Sequence, residues 1–247
     1  MALMGLLVML VFVSQMTSRI VYASTGIPIL GYHNIVSDEL KKTTYKDDPY
    51  TLSTSAFIQQ IDYLSKHHYR TLSLEEFDQW YQGRLTVKGP AVVLTFDDGY
   101  KNMNTVVTPL LKQYHMQAGV FVIGCHLYDY RQEYLKINDI QDNEVLSYYS
   151  HSYNLHRHGK KKKPIIDSLS AFELAQDTAV FPGDKSYFAY PYGHANDKMK
   201  DVLASFGVKL AFTYNNFHHA TRYDQRYEIP RYMIVSSMPS WYLASIL

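Results

Sequence analysis

Six short β-like runs are separated by stretches with helical spacing: IPILGYH from residue 27, AVVLTF from 91, AGVFVIG from 118, FAYPYG from 188, VKLAFTY from 208 and YEIPRYMIV from 227. Alternation of strand and helix is the pattern of a parallel α/β sheet or barrel, because parallel neighbours need a crossover and a helix supplies it. Helical spacing is clear at Phe57, Ile58, Ile61 and Leu64 after a Ser53-Thr54-Ser55 start, and at Val106, Val107, Leu110 and Leu111 before Tyr114. Residues 169–180 form a third candidate helix. A single α/β barrel uses about 250 residues, and the chain has 247, so one domain is expected.

Charge and cysteine content narrow the chemistry. Lys plus Arg number 24 against 23 for Asp plus Glu, a net charge of +1. That leaves no strong field to hold nucleic acid, which is excluded as a partner class. Cys125 is the sole cysteine, so a disulfide framework and a cysteine-rich zinc site are excluded within one chain, and any metal must use His and carboxylates. The run Lys160 to Lys163, followed by Pro164, reads as a solvated loop.

Residues 2–18, ALMGLLVMLVFVSQMTS, are uncharged, and the strongly apolar part runs from Ala2 to Val13. Such a run is short for a spanning helix, which wants about 20 residues, and has the length of a signal peptide. Cleavage after Val21-Tyr22-Ala23 fits. No basic n-region precedes the apolar stretch, which leaves an N-terminal membrane anchor or a start further upstream as alternatives, and a buried helix as the bland reading. The expected division is therefore 1–23 as signal peptide or anchor and 24–247 as the working domain, placed outside the cell or at its surface.

The sharpest chemical feature is Thr95-Phe96-Asp97-Asp98-Gly99, where an apolar strand ends in two adjacent carboxylates and a glycine. Strand C-termini are where barrel enzymes carry their chemistry. Neighbouring strand residues point to opposite faces, so Asp97 and Asp98 share one site only if the chain turns there, as Gly99 allows. One carboxylate can then hold a metal while the other takes a proton from water. An Asp-Asp-Gly hairpin turn is the bland alternative.

The second feature is His151-Ser152-Tyr153-Asn154-Leu155-His156, with His158 beyond it. On a helix a spacing of five leaves the two rings about 140° apart, and on a strand it puts them on opposite faces. Convergence requires a strand end followed by a turn, which Ser152 and Asn154 favour. Asp98 with His151 and His156 would be three ligands for zinc or a similar divalent ion, leaving a position for water, with His158 as an alternative to His156.

These motifs resemble those of the polysaccharide deacetylases, the NodB-like carbohydrate esterase family 4, over nearly all of residues 27–236, and most of all the biofilm branch that acts on poly-N-acetylglucosamine. The resemblance implies a distorted parallel (β/α) barrel with Asp97 as catalytic base and Asp98, His151 and His156 as ligands of a divalent metal such as Zn2+. Phe188-Ala189-Tyr190-Pro191-Tyr192-Gly193 is similar to a further motif, in which the residue matching Tyr192 offers its N–H to the oxyanion. Ile29-Leu30-Gly31-Tyr32-His33 is similar to one found near the C-terminus in most of the family and, by circular permutation, at the N-terminus in this branch, with His33 as general acid. The site would gather loops 31–34, 96–100, 150–158, 190–194 and 229–232.

Two departures stand out. Ala189 occupies the place of an arginine that orients the base in many relatives, and Arg231 of Ile229-Pro230-Arg231 is the candidate substitute. The family's tryptophan motif has no counterpart, since only Trp80 and Trp241 are present. The resemblance implies an N-deacetylase acting on an acetylated polysaccharide. Other glycans such as peptidoglycan or chitin oligomers, and a catalytically silent carbohydrate-binding surface protein, are the rival readings.

Overall fold

The computed structural model describes residues 26–159 and 162–247. The leader expected over residues 1–23 lies outside the described residues, as do Lys160 and Lys161. The strands in chain order are β1 (Ile29–Tyr32), β2 (Asn34–Val36), β3 (Thr51–Ser53), β4 (Arg70–Leu72), β5 (Ala91–Phe96), β6 (Ala118–Val122), β7 (Leu146–Ser150), β8 (Asp184–Ala189), β9 (Leu210–Phe212) and β10 (Tyr232–Met233). The main sheet runs β10-β1-β5-β6-β7-β8-β9, with β4 beside β5, while β2 and β3 form a separate pair. Every one of these pairings is parallel.

The sheet curls into a distorted barrel. Ile229 bridges Phe212, and the N–H groups of Thr213 and Asn215 donate to the carbonyls of Ile229 and Arg231, both at 2.9 Å. The segment from Ile229 thus lies beside the end of β9 and continues into β10, which pairs with β1. The distortion is visible at β5, which carries β1 along one edge and divides the other between β4, at Ala91–Val93, and β6, at Thr95–Phe96.

Alternation along the strands sorts side chains onto an inner and an outer face. Ile29, Val93, Phe121, Tyr149, Tyr187, Phe212 and Ile229 form the inner cluster, with Leu74 and Phe77 packed among them. Leu30, Val92, Leu94, Val120, Val122 and Tyr148 face outward against helices. The helices are α1 (Asp38–Lys42), α2 (Thr54–Lys66), α3 (Leu74–Tyr81), α4 (Thr108–Gln113), α5 (Ala171–Val180), α6 (Asp197–Ser205) and α7 (Ser240–Ile246). The α2 helix starts where Ser53 accepts the Ala56 N–H and buries Phe57, Ile61 and Leu64, each worth roughly 1.5–3 kcal/mol of transfer free energy. The pattern around Val106 begins as a π-helical turn over Met103–Val107 and becomes α4 with Pro109 in its first turn. The α5 helix starts at a Ser170–Glu173 capping box. Among the described residues no helix is long and apolar enough to cross a membrane.

One strand escaped the reading of apolar runs. Leu146-Ser-Tyr-Tyr-Ser150 carries no such run, yet β7 pairs with β6 along its whole length, and its burial comes from tyrosine rings. Following the inner face upward by twos from the inner cluster gives Gly31 on β1 and His33 just after it, Thr95 on β5 and Asp97 just after it, His151 after β7, Tyr214 after β9, and Arg231 before β10. The same alternation that builds the core brings these side chains toward the C-terminal mouth.

Candidate active site

Asp97, fully buried, continues the inward face of β5. Asp98 adopts φ +72° and Gly99 φ +75°. The turn needed to bring both carboxylates into one cavity therefore begins at Asp98 itself, one residue before the glycine expected to provide it. Gly99 has its own reason to lack a side chain, since a Cβ there would stand 2.1 Å from Val122 Cγ1. The cavity, of about 260 Å³, is lined by His33, Asp48, Tyr50, Asp97, Asp98, Tyr100, His151, His156, Tyr192, Tyr214 and Met233.

The two carboxylates have different company. Arg231, fully buried, makes a bidentate pair with Asp97: Nη1 donates to Oδ1 at 2.7 Å and Nη2 to Oδ2 at 2.8 Å. Its Nη1 also donates to Thr95 Oγ1 at 3.1 Å, and its guanidinium lies 4.4 Å from the Tyr214 ring centre. Burial by itself would raise the Asp97 carboxyl, but the charges of Arg231 and His151 and the Arg231 hydrogen bonds outweigh it and hold Asp97 well below the usual carboxylate range. Asp98 lacks such a clamp, and burial pushes it up.

His151 follows the last residue of β7. Its Nδ1 lies 2.7 Å from the Ala189 carbonyl, to which only an Nδ1–H can donate. The bond turns the Nε2 lone pair into the cavity, 3.7 Å from Asp98 Oδ1 and 3.6 Å from Asp97 Oδ2. Ser152, at φ +66°, turns the chain so that His156 returns beside it, with ring centres 4.2 Å apart. His156 Nε2 stands 3.8 Å from Asp98 Oδ1, and its Nδ1 is buried without a partner. Burial lowers both imidazoles, His156 most strongly, toward the neutral form that binds metals.

One ligand atom from each of Asp98, His151 and His156 lies within 4.8 Å of the others. Two ligand atoms on one tetrahedral zinc stand about 3.3 Å apart, so Asp98 Oδ1, at 3.7 and 3.8 Å from the two Nε2 atoms, needs to close on each by only a few tenths of an ångström. A carboxylate pushed up by burial and two neutral imidazoles that present Nε2 to it fit a divalent cation. His158, the alternative ligand, falls outside this group and packs on the Tyr192 ring at 4.6 Å.

His33 lines the cavity across from this group, its ring against Tyr50 and Tyr214 at 5.1 and 6.1 Å and its Nδ1 buried without a partner. Tyr192 sits in a tight turn at φ +58°, half-exposed, its ring 5.6 Å from His156. Ala189 serves through its backbone carbonyl, and Arg231 arrives from the closing segment of the barrel to reach Asp97.

Tyr214 was not among the residues singled out from the sequence. Its Oη donates to Asp97 Oδ2 at 2.8 Å, and burial holds the phenol well above its ordinary pKa, so it remains a donor. The ring lies on Gly31, where a Cβ would come within 2.6 Å of it. Its signal is its position two residues past Phe212 on the inner face, indistinct among 23 tyrosines. A hydrogen bond to a charged group is worth about 1.5–3 kcal/mol. Tyr214→Phe is accordingly expected to lower kcat about 10- to 100-fold with KM little changed, measured by steady-state acetate release.

A family model described as polysaccharide deacetylase matches residues 84–211. This is more than half of the chain, which belongs to that family, hydrolases of amide-linked acetyl groups on polysaccharides. The matched stretch contains Asp97, Asp98, His151, His156 and Tyr192 and leaves His33 and Arg231 outside it. Over 201 residues the chain is 27% identical to the poly-beta-1,6-N-acetyl-D-glucosamine N-deacetylase of Staphylococcus aureus, covering 75% of this chain and 68% of that protein. It is 25% identical over 199 residues to the protein of the same name from Staphylococcus epidermidis, with the same coverage. Two solved structures share the fold: IcaB from Ammonifex degensii, with TM-score 0.74, 24% identity and coverage of 90% of this chain and 96% of that one, and the Streptococcus pyogenes deacetylase PplD in complex with acetate, with TM-score 0.74, 24% identity and coverage of 89% and 97%.

Proposed function

We propose that the chain is a metal-dependent N-deacetylase of N-acetylglucosamine units in an extracellular polysaccharide, poly-β-1,6-N-acetylglucosamine in particular. The observation that carries this reading is the division of labour between adjacent carboxylates: Asp97 clamped by Arg231 and Tyr214, and Asp98 facing two neutral histidines. Asp98, His151 and His156 would hold a divalent ion, zinc or a similar one, which when bound supplies Lewis-acid polarisation of the acetamide carbonyl and of water. Asp97, kept ionised by Arg231, takes the proton as water adds to the carbonyl carbon. The Tyr192 N–H donates to the developing oxyanion, a contact of a kind typically worth about 3–4 kcal/mol. His33 protonates the amine as the C–N bond breaks, which gives acetate and a glucosamine unit that is cationic at neutral pH.

The name shared by the staphylococcal relatives supports the substrate. A polymer outside the cell agrees with the reading of residues 1–23 as a signal peptide or membrane anchor and of 24–247 as the catalytic unit. The test uses the full-length chain and His33→Ala on two substrates, an N-acetylglucosamine oligomer and 4-nitrophenyl acetate. An amine leaves poorly unless protonated, whereas nitrophenolate leaves unaided, so amide turnover should fall about 10²- to 10⁴-fold and ester turnover far less. Equal losses on both substrates would remove His33 as proton donor. Wild-type cleavage of the ester alone would reject the N-deacetylase.

A further inference from the structure

Four residues separate the two histidines of the candidate metal group, and no helix or strand connects them, so the loop itself must place His156 beside His151. Its backbone donors are accounted for one by one. The Ser152 N–H donates to Ser150 Oγ at 3.2 Å and the Leu155 N–H to Ser152 Oγ at 3.1 Å. The two N–H groups between them, of Tyr153 and Asn154, leave the loop altogether: they donate to the two oxygens of Asp177, at 2.8 Å to Oδ1 and 2.7 Å to Oδ2. Asp177 belongs to α5. From the opposite side, the carbonyls of Ser152 and Tyr153 accept from the N–H groups of Gly124 and Cys125, at 3.0 and 2.9 Å. The connection is thus gripped between the segment after β6 and one carboxylate of α5, and Leu155 is buried beneath it.

We propose that Asp177 is a positioning residue for the metal-binding loop, setting where the His156 ring stands relative to His151 and Asp98. The proposal rests on the reading of those three residues as a metal site. Both of its partners are backbone amides, which no other side chain within the loop satisfies. An amide in place of the carboxylate keeps one acceptor and turns its own N–H₂ toward a donor, so one of the two bonds is lost and replaced by a clash of donors. Groups that orient metal ligands from behind typically matter about 10- to 100-fold in affinity.

The test measures Zn2+ affinity of the full-length chain by competition with a chromophoric chelator, together with the melting temperature of the metal-free protein. Asp177→Asn is expected to bind zinc about 10- to 100-fold more weakly than wild type. Asp177→Glu, with both acceptor oxygens on an arm one methylene longer, falls between the two and reads the same loop if the amide variant does not fold. Glu173→Ala opens the capping box at the start of the same helix, 2.8 Å from the Ser170 N–H, and is expected to lower the melting temperature while zinc affinity stays at the wild-type value. Wild-type affinity in both Asp177 variants overturns the proposal, as does an equal loss in Glu173→Ala, which would make the effect one of helix stability. A wild-type chain that binds no zinc overturns the metal-site reading and this proposal with it.

Discussion

Asp97→Asn is expected to lower acetate release from N-acetylglucosamine oligomers about 10²- to 10⁴-fold, with zinc affinity within a few-fold of wild type. Asn cannot accept a proton, yet it is isosteric and leaves Asp98, His151 and His156 in place. Asp97 lies 3.6 Å from His151 Nε2 and is bound instead to Arg231 and Tyr214. That separation of roles is what the variant probes: chemistry is lost and the metal group stays. Loss of zinc binding together with activity would make Asp97 a ligand rather than the base.

Arg231→Gln carries the largest expected cost in stability. The wild-type pair is fully buried, and removing one partner of a buried ion pair typically costs about 3–5 kcal/mol because the other charge stays uncompensated. The pH dependence follows from the direction of the Asp97 shift. Its carboxyl is depressed in the folded protein, so its stabilisation is present in full above the ordinary unfolded value of about 4 and is lost as pH falls from there toward the folded value. In Arg231→Gln the depression is removed and burial is left to raise the carboxyl. Urea unfolding of both proteins between about pH 3 and pH 7 should show the largest gap in stability near neutrality, narrowing in acid as Asp97 protonates in the variant. A gap independent of pH would mean that Arg231 stabilises the fold by packing on Phe121 and Tyr214 alone.

How much of this was legible beforehand depended on whether the information lay in side-chain pattern or in backbone. AVVLTF ending in Asp97-Asp98-Gly99 reads as a strand with chemistry at its tip, because an apolar run and a carboxylate pair are both properties of adjacent letters. Period two then extends inward from Val93 to Thr95 and Asp97, and from Ile29 to Gly31 and His33, so strand identity alone orients those residues. His33 and Arg231, by contrast, gained roles only from resemblance to a family, since a lone histidine or arginine at a strand end specifies no partner. The strand before His151 stayed hidden because Leu146-Ser-Tyr-Tyr-Ser150 buries tyrosines instead of an apolar run. Asp177 was invisible for a different reason: its partners are the amides of Tyr153 and Asn154, and backbone donors leave no trace in residue type. The left-handed turn at Asp98 belongs to the same class, because nothing in a carboxylate announces a φ of +72°.

The most direct measurement counts both products. Poly-β-1,6-N-acetylglucosamine is incubated with the full-length chain, and acetate and primary amine are quantified in the same samples, with chelator present and after zinc is restored. One amine is expected for each acetate, with both lost to the chelator and both regained with zinc. Acetate without amine would mean an ester was cleaved, and neither product from a chain carrying stoichiometric zinc would contradict N-deacetylation of this polymer.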